Sequence, residues 1–367
     1  MDKIKRFFEC LIPVTACNLK CSYCYIIQRD NRNMKMPELK YSPEIIGKGL
    51  SKERLGGICY FSICGAGETL VPHETIEVAY ELLKQGHYVN ITTNGTLSKR
   101  FDEILEFPKE YLSRIHFAFS LHYLELLRIN KLYVFFENVN KMKEAGCSVL
   151  VQINLCDEYI PYWDEIKRIC VKRVGAVPQV AATRKENDLT KNIELLTKKT
   201  DREYEQIGKQ YKSPLFDFTM KNFGVKQKNF CYAGDWSGTL NLGTGVLTRC
   251  YGSMIKQDIF KDVSKPIRFQ AIGCHCKSLF CMNSSHFLSL GVIPELDTPT
   301  YASLRNREEA QWYSEELKAF LSGKLGDNNC DYSMLQKFKS ELLNIEETIL
   351  HVYALMRHNI KRIIKRK

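Results

Sequence analysis

The sequence predicts an α/β fold in which parallel strands form an open sheet or a partial barrel. Six short apolar runs, rich in β-branched and aromatic residues, alternate with helical periodicity, and glycines follow several predicted helices. Strands that repeat in one direction need crossover helices, so this alternation favours parallel pairing. The predicted strands are 7–14, 58–64, 88–93, 115–121, 149–155 and 176–182, and the predicted helices are 43–54, 72–85, 98–107, 123–145 and 162–173.

The second half of the chain has a different character. Residues 186–229 are rich in lysine and show no strand rhythm, whereas 230–286 are rich in glycine and cysteine, and helical patterns follow at 301–321 and 334–364. We therefore expect four segments: a barrel over 1–190, a helical linker over 191–229, a small cysteine-rich domain over 230–290, and C-terminal helices with a basic tail over 291–367.

Composition and charge exclude several classes of protein. Apolar residues make up 44% and charged residues 26% of the 367, which is typical of a folded globular chain. No run reaches the roughly 18 apolar residues of a membrane-spanning helix, and no export signal is evident. The net charge is +11, and six of those charges lie in 357–367. A basic end of this kind does not predict a general nucleic-acid-binding surface.

The fifteen cysteines indicate metal–sulfur chemistry in a reducing cytoplasm. Six lie in two tight groups, and cysteines two to four residues apart rarely reach disulfide geometry, whereas their thiolates can converge on one metal centre. The two groups are Cys17, Cys21 and Cys24, then Cys274, Cys276 and Cys281.

The first group, Cys17-x3-Cys21-x2-Cys24, follows the first predicted strand at its carboxyl end, where α/β folds place ligands. Three thiolates on one loop can hold three irons of a [4Fe–4S] cluster, which leaves the fourth iron open to a substrate. We expect Tyr23 to pack beside such a cluster and to exclude water. The alternatives are three unligated core cysteines or a zinc site, although zinc normally takes four protein ligands in a structural site.

The Cys-x3-Cys-x2-Cys spacing, with an aromatic residue before the third cysteine, resembles the radical S-adenosylmethionine (radical SAM) superfamily. Gly65-Ala66-Gly67-Glu68 is similar to that family's Gly-Gly-Glu-Pro motif, with Ala66 and Thr69 as departures, and the resemblance implies that Glu68 accepts a hydrogen bond from the methionine amine. It further implies nucleotide contacts from residues at the later strand ends, namely Asn94, Ser120, Asn154 and Arg184. The alternatives for these are a tight turn at Asn94, a helix cap at Ser120 and a solvated Arg184.

This resemblance covers residues 7–185 and implies a partial (β/α)6, TIM-like barrel. It also implies the chemistry. Methionine chelates the open iron, an external flavodoxin- or ferredoxin-like reductant supplies one electron, and the resulting 5′-deoxyadenosyl radical abstracts hydrogen from the substrate. The cofactor supplies the difficult step, while the protein orients and shields the radical.

The second constellation, Cys231-x13-Gly245-x4-Cys250, resembles the auxiliary-cluster extensions called SPASM and twitch domains, in which a hairpin supplies thiolates. Five cysteines lie in the segment, so we expect one auxiliary [4Fe–4S] cluster, with Cys274 as the spare. Structural zinc is the alternative. The expected ligands are Cys231, Cys250, Cys276 and Cys281. Cys64 and Cys156, at strand ends, are the candidates for donating a hydrogen atom to a substrate radical.

The sequence predicts the chemical class of the substrate. Only 16 residues precede Cys17, which leaves no room there for a peptide-leader domain, so we expect a carbohydrate or another small polar, phosphorylated or lipid-linked substrate that is dehydrogenated or epimerised. A peptide-modifying enzyme is the alternative, and a zinc-stabilised binding protein is the alternative from another class. An apolar face from Ile349 to Ile364, interspersed with basic residues, predicts either peripheral membrane contact or a docking helix.

Overall fold

The structure, a computed structural model, describes residues 2–186, 193–274 and 276–364. The strands are Arg6–Ile12 (β1), Cys59–Gly65 (β2), Tyr88–Thr93 (β3), Ile115–Ser120 (β4), Ser148–Leu155 (β5), Gln179–Ala182 (β6), Arg184–Glu186 (β7), Ile193–Leu195 (β8), Ser237–Asn241 (β9), Val246–Thr248 (β10) and Lys256–Asp258 (β11).

The α-helices are mostly short and lie between or after these strands. They are Tyr25–Gln28 (α1), Pro43–Gly49 (α2), Lys52–Leu55 (α3), Glu74–Lys84 (α4), Ser98–Leu105 (α5), Lys109–Leu112 (α6), Tyr123–Arg128 (α7), Leu132–Glu144 (α8), Trp163–Val174 (α9), Asp201–Lys209 (α10), Pro214–Asn222 (α11), Ser284–Phe287 (α12), Tyr301–Arg305 (α13), Glu315–Ser322 (α14) and Met334–Ile364 (α15). In the described part of the chain, no helix is both long enough and apolar enough to cross a membrane.

Strands β1 to β6 pair in parallel and in sequence order, which confirms the predicted α/β class and the six-stranded parallel sheet of the partial barrel. The sheet then continues beyond β1. Strand β9 pairs with β1 in parallel, with Phe7 opposite Ser237, and β10 and β11 extend the edge in antiparallel fashion. The hairpin of the cysteine-rich segment is therefore part of the barrel's own sheet, and the boundary that we expected near residue 230 does not separate two sheets.

Some predicted elements differ from the observed ones. The helix predicted over 123–145 is two helices, α7 and α8, because Asn130 adopts a left-handed conformation with φ of 52° between them. The helix predicted over 301–321 is likewise two, α13 and α14. The linker predicted as helical over 191–229 does contain α10 and α11, but it begins with β8, which pairs with β7 in a separate two-stranded sheet.

The interior of the barrel has two halves. Towards the amino ends of the strands, the inward-facing side chains are fully buried against α12 and α13 from the C-terminal region. We call this half the lower lumen, and its strand residues are Phe7, Tyr60 and His116. Towards the carboxyl ends, the inward-facing side chains of successive strands are only half-buried. They occur at every second residue, because successive side chains of a strand point to opposite faces. We call this half the upper lumen, and its residues are Glu9, Cys64, Thr92, Ser120, Gln152 and Asn154.

Candidate functional site

The loop that carries the first three cysteines is fixed to the end of β2 by backbone hydrogen bonds. The Gly67 amide donates to the carbonyl of Val14 at 2.6 Å, and the Glu68 amide donates to the carbonyl of Ala16 at 2.9 Å. A Cβ atom on Gly67 would lie 2.2 Å from the Ala16 carbonyl oxygen, so only glycine permits this approach. The predicted Gly65-Ala66-Gly67-Glu68 motif therefore lies directly against the cysteine loop.

Glu68 is buried, and its carboxylate joins the ends of β2 and β3. It accepts hydrogen bonds from the Thr93 hydroxyl at 2.7 Å, the Asn94 amide at 2.8 Å and the Leu70 amide at 3.0 Å. Burial raises the pKa of this carboxyl, and the three bonds oppose that rise. A bond to a methionine amine, as the sequence predicts, would be a fourth, which a carboxylate with four lone pairs can accept.

The side chain of Asn94 faces the cysteine loop. Its Nδ2 donates to Oδ1 of Asn18 at 2.8 Å and lies 3.9 Å from Sγ of Cys17, and its Oδ1 accepts from the Thr96 hydroxyl at 2.6 Å. Asn94 was predicted to contact the nucleotide. That contact stays a prediction, and the structure adds that the Asn94 amide also lies beside the Cys17 thiol.

The three thiols of Cys17, Cys21 and Cys24 lie close enough to influence one another. Burial, together with the nearby charges of Glu125, Cys17 and Cys24, raises the pKa of Cys21 to about 12. Thiolates with this mutual repulsion fit a ligand that supplies positive charge, as an iron–sulfur cluster does. The Tyr23 hydroxyl bonds to Nδ1 of His122 at 2.7 Å, and the Tyr23 side chain is also a hydrogen-bond partner of Cys21, while its packing beside a cluster stays a prediction.

The upper lumen collects several of the predicted site residues. Ser120 on β4 and Asn154 on β5 both face it, half-buried, and within the described residues neither side chain has a recorded hydrogen bond. Arg184, at the start of β7, lies above them, and its guanidinium donates to the carbonyl of Met282 at 2.8 Å. Polar side chains with free bonding capacity in a half-buried cavity are typical of a ligand site.

Glu9 is the functional candidate that the sequence analysis missed. It lies on β1 in the upper lumen, where Nδ2 of Asn283 donates to its Oε2 at 3.1 Å and Sγ of Cys64 lies 3.9 Å from its Oε1. Burial raises the pKa of Glu9 to about 7, and the positive charges of Arg305 and Arg184 oppose that rise. The sequence signal that could have identified Glu9 is an acidic residue within an otherwise apolar strand.

The two cysteines predicted as hydrogen-atom donors lie in different places. Cys64 is in the upper lumen beside Glu9. Cys156 is buried beside Tyr159 and Tyr204, close to the cysteine loop. Of the two, only Cys64 has a contact with an upper-lumen side chain among the described residues.

The second set of cysteines meets in one place. Cys231, Cys250, Cys276 and Cys281 line a single cavity whose other walls are mainly apolar, including Ile272, Phe280, Phe287 and Leu288. Burial, together with the nearby charge of Cys276, raises the pKa of Cys250 to about 12. Cys274 is exposed, and its amide donates to Glu341 on α15. The four thiols share a cavity, and Cys274 lies outside it.

These four thiols lie around the cavity rather than at one point. Among the described residues, no group of three or more histidine, cysteine or acidic side chains is arranged to hold a single metal ion. All fifteen cysteines are free thiols. The donor set of four thiols fits a [4Fe–4S] cluster, in which each sulfur ligand binds its own iron.

The second set adjoins the upper lumen. Tyr251 follows Cys250, and Asn283 lies two residues after Cys281; Nδ2 of Asn283 is 3.1 Å from the Tyr251 hydroxyl and 3.1 Å from Glu9. The upper lumen thus lies between the two cysteine sets, with Glu9 on the side of the second.

Residues 11–170 match the family model described as the Radical SAM superfamily. This part of the chain is therefore similar to a radical SAM domain. Its cofactors are those of the superfamily, a [4Fe–4S] cluster and S-adenosylmethionine, as the sequence predicted. Cys17, Cys21, Cys24 and the motif around Glu68 all lie within the matched residues. No curated protein matches the chain.

Several solved structures are similar to the chain at low identity. Streptococcus suis SuiB is 14% identical, with 70% of this chain and 64% of SuiB covered and a TM-score of 0.49. The structure of anSMEcpe with AdoMet and the Cp18Cys peptide is 14% identical, with 96% and 99% covered and a TM-score of 0.45. BtrN in complex with AdoMet and 2-DOIA is 11% identical, with 92% and 96% covered and a TM-score of 0.30. The chain spans about two thirds of SuiB, and TM-scores under 0.5 carry no argument about its substrate.

Proposed function

We propose that this protein is a radical SAM oxidoreductase that acts on a hydroxyl-bearing carbon of a small polar substrate bound in the upper lumen. The observation that carries the proposal is the position of Glu9. Its side chain is half-buried on β1, and its carboxylate accepts a hydrogen bond from Asn283, which lies two residues after Cys281 of the second set of four thiols.

The radical SAM centre starts the reaction. When bound, the cluster and S-adenosylmethionine supply a 5′-deoxyadenosyl radical that takes a hydrogen atom from an unactivated carbon. We assign Cys17, Cys21 and Cys24 as the residues that hold the cluster. Asn94 positions Cys17 through its amide, and Tyr23 excludes water from the sulfur ligands.

The residues of the upper lumen then complete an oxidation. A carbon that has lost a hydrogen atom and bears a hydroxyl becomes a carbonyl when the hydroxyl gives up its proton and one electron departs. Glu9 accepts that proton, because a carboxyl with a pKa near 7 is partly ionised at neutral pH and matched to general-base work. Arg184 and the side chains of Ser120 and Asn154 supply hydrogen bonds that orient the substrate.

The departing electron needs a one-electron acceptor, and an auxiliary [4Fe–4S] cluster held by the second cysteine set would supply one when bound. Cys231, Cys250, Cys276 and Cys281 supply the four thiolates. Tyr251 and Asn283, each within two residues of one of these cysteines, touch the side of the cavity that holds Glu9. Structural zinc, the other group that four cysteines bind, would serve no electron transfer.

Anaerobic iron and sulfide analysis tests both metal assignments. The reconstituted protein should hold ~8 iron and ~8 sulfide per chain, and a variant with Cys17, Cys21 and Cys24 all changed to Ala should retain ~4 iron and form no 5′-deoxyadenosine. The variant with alanine at all four cysteines of the second set should also retain ~4 iron but still cleave S-adenosylmethionine. Cys274→Ser is the matched control and should keep ~8 iron. A protein that binds only zinc would rule out the proposal.

A peptide is the second candidate substrate, because the sequence leaves a peptide-modifying enzyme open as the alternative. The substrate assay therefore uses both classes. Substrates deuterated at the carbon beside a hydroxyl should transfer deuterium to 5′-deoxyadenosine. We expect transfer from a sugar or polyol; transfer from a peptide alone would keep the radical SAM activity but overturn the substrate class.

A further inference from the structure

The long C-terminal helix α15 packs on the protein through its polar side. Ser340, Asn344 and Glu347 are its buried residues, and they recur at the four- and three-residue spacing of one helix face. Ser340 accepts a bond from Gln270 at 2.6 Å, and Asn344 donates to the carbonyl of Ile272 at 2.7 Å. Glu347 forms a buried ion pair with Arg249. The polar face of α15 thus faces inward.

The apolar face of the same helix faces outward. Seven apolar residues, spaced alternately by three and four positions, have between 46% and 64% of their surface exposed. We call them the outer stripe: Leu335, Phe338, Leu342, Ile345, Ile349, Val352 and Met356. A stripe of alternating three- and four-residue spacing over three heptads is the pattern of a coiled-coil seam. An exposed apolar surface of this length indicates an interaction site.

We propose that the outer stripe is a dimer interface, and that it pairs with the outer stripe of a second copy of this chain as an antiparallel two-stranded coiled coil. In that arrangement Leu342 of one copy packs against Ile345 of the second copy at the centre, since each a position faces a d position of the antiparallel partner. The polar inner face keeps its contacts with the cysteine-rich region, so dimer formation requires no rearrangement of the fold.

The charges beside the stripe select the antiparallel arrangement. Lys339 and Glu346 flank the seam at equivalent heptad positions, so in the antiparallel register Lys339 of each copy lies opposite Glu346 of the other. A parallel pair would instead place Glu341 opposite Glu346, which juxtaposes like charges. The antiparallel dimer therefore gains two opposite-charge contacts that the parallel one lacks.

The charge of this part of the helix also disfavours an anionic membrane as the occupant. From Met334 to Met356 the helix carries two lysines and three glutamates, and the basic residues begin only at Arg357. A helix that lies on an anionic membrane is rich in lysine and arginine on its polar face, whereas the polar face of this part of α15 is buried and includes Glu347. Acidic residues beside the outer stripe fit a protein partner that supplies matching lysines, as a second copy does.

Sedimentation velocity of the full chain over a range of concentrations tests the proposal. The wild-type protein should approach twice the 42.6 kDa mass of one chain as its concentration rises, because three heptads are near the lower limit for a stable coiled coil. The variant Leu342→Glu with Ile345→Glu should remain at 42.6 kDa, and it should fold because both positions are already exposed. Leu127→Glu, an equally exposed leucine on α7, is the control and should dimerise normally.

Charge reversal tests the direction of pairing. Glu346→Lys should weaken the antiparallel dimer, whereas it would strengthen a parallel one, and Lys339→Glu combined with Glu346→Lys should restore wild-type association. A wild-type protein that stays monomeric at every concentration overturns the proposal. Sedimentation with phosphatidylglycerol vesicles then distinguishes the alternative occupant: binding by a monomeric wild type that is lost in the Leu342→Glu, Ile345→Glu variant would assign the outer stripe to a lipid surface.

Discussion

The two halves of the barrel interior are built from the same strands, yet they differ in what fills them. In the lower lumen, the Tyr60 hydroxyl bonds to Nδ1 of His116 at 2.8 Å, and the guanidinium of Arg305 stacks 3.6 Å from the ring of Tyr301. These polar groups are all buried, and burial lowers the pKa of His116 to about 3. In the upper lumen, by contrast, the inward-facing side chains remain half-buried.

The same alternation of inward- and outward-facing residues thus forms a packed core in the lower lumen and a half-buried polar surface in the upper lumen. Helices α12 and α13 of the C-terminal region close the lower lumen and make it a packed core, in which Tyr60 bonds to His116 while Nε2 of His116 and Nη1 of Arg305 are buried without a hydrogen-bond partner among the described residues. Phe7 is covered in this way, whereas Glu9, the next inward-facing residue along β1, is only half-buried. Phe7 and Glu9 are two residues apart on the same face of one strand, and they allow the comparison to be tested directly.

Phe7→Ala should have the largest effect. Phe7 is fully buried and packs on Tyr60 and Phe287, with ring centroids 5.9 and 5.4 Å apart. Removing a buried phenylalanine leaves a cavity and should lower the free energy of unfolding by about 3–5 kcal/mol. Chemical denaturation under anaerobic conditions measures this loss, and a change under 1 kcal/mol would contradict the description of the lower lumen as a packed core.

Glu9→Gln should act in a pH-dependent way. The pKa of Glu9 rises from 4.5 in the unfolded chain to about 7 in the fold, so the native state binds the proton more tightly and wild-type stability falls as the pH rises through this window. Glutamine does not titrate. The variant should therefore match the wild type below pH 4.5 and exceed it by up to about 3 kcal/mol at pH 8, at 1.36 kcal/mol per pH unit.

Denaturation series at several pH values check this expectation, with Glu205→Gln, a partly exposed residue paired with Lys209, as the control. A pH-independent difference between Glu9→Gln and wild type would show that Glu9 does not titrate in this range. Once a substrate is identified, Glu9→Gln should form product at least about 100-fold more slowly than the wild type. Its release of 5′-deoxyadenosine without substrate should be unchanged.

Two serines, one level with His116 in the lower lumen and one in the upper lumen, sharpen the comparison further. Ser62 on β2 is buried and accepts a bond from Nδ2 of Asn90 at 3.1 Å, so Ser62→Ala leaves that amide unpaired and should cost about 1–3 kcal/mol. Thermal unfolding of the purified variant measures the loss.

Ser120→Ala in the upper lumen should have the smallest effect on stability. Ser120 is half-buried, and its side chain has no recorded hydrogen bond within the described residues, so the change should stay within about 0.5 kcal/mol. Affinity for S-adenosylmethionine, measured by equilibrium dialysis, should fall if Ser120 contacts the nucleotide. A stability loss as large as that of Ser62→Ala would mean that the upper lumen is as closely packed as the lower one.

The sequence was sufficient to predict β1 to β5 to within two residues, because their apolar runs end at glycine or polar residues. The family was predictable from the spacing of three cysteines. The pairing of β9 with β1 was not predictable, since it joins residues more than 200 positions apart and leaves no local pattern. Strands β7 and β8 have three residues each, which is too short for a recognisable alternation.

Site residues that belong to a recognisable sequence motif could be predicted. Residues that only the fold brings into the site could not. Cys231, Cys250, Cys276 and Cys281 were chosen by spacing, and the structure brings all four to one cavity while Cys274 lies outside it. Glu9 carries no motif. Its importance depends on which face of β1 points inward and on Asn283, which is distant in sequence.

The continuous sheet across the two cysteine regions also limits how the protein can be divided. Because β9 pairs with one edge of β1, ending the chain before residue 230 would leave that edge unpaired. Residues Phe7 to Leu11 would then form an exposed, apolar edge strand. Such edges recruit other strands and aggregate. The N-terminal half should therefore not survive as a free-standing fragment, and its radical chemistry depends on a C-terminal segment that supplies none of the first three sulfur ligands.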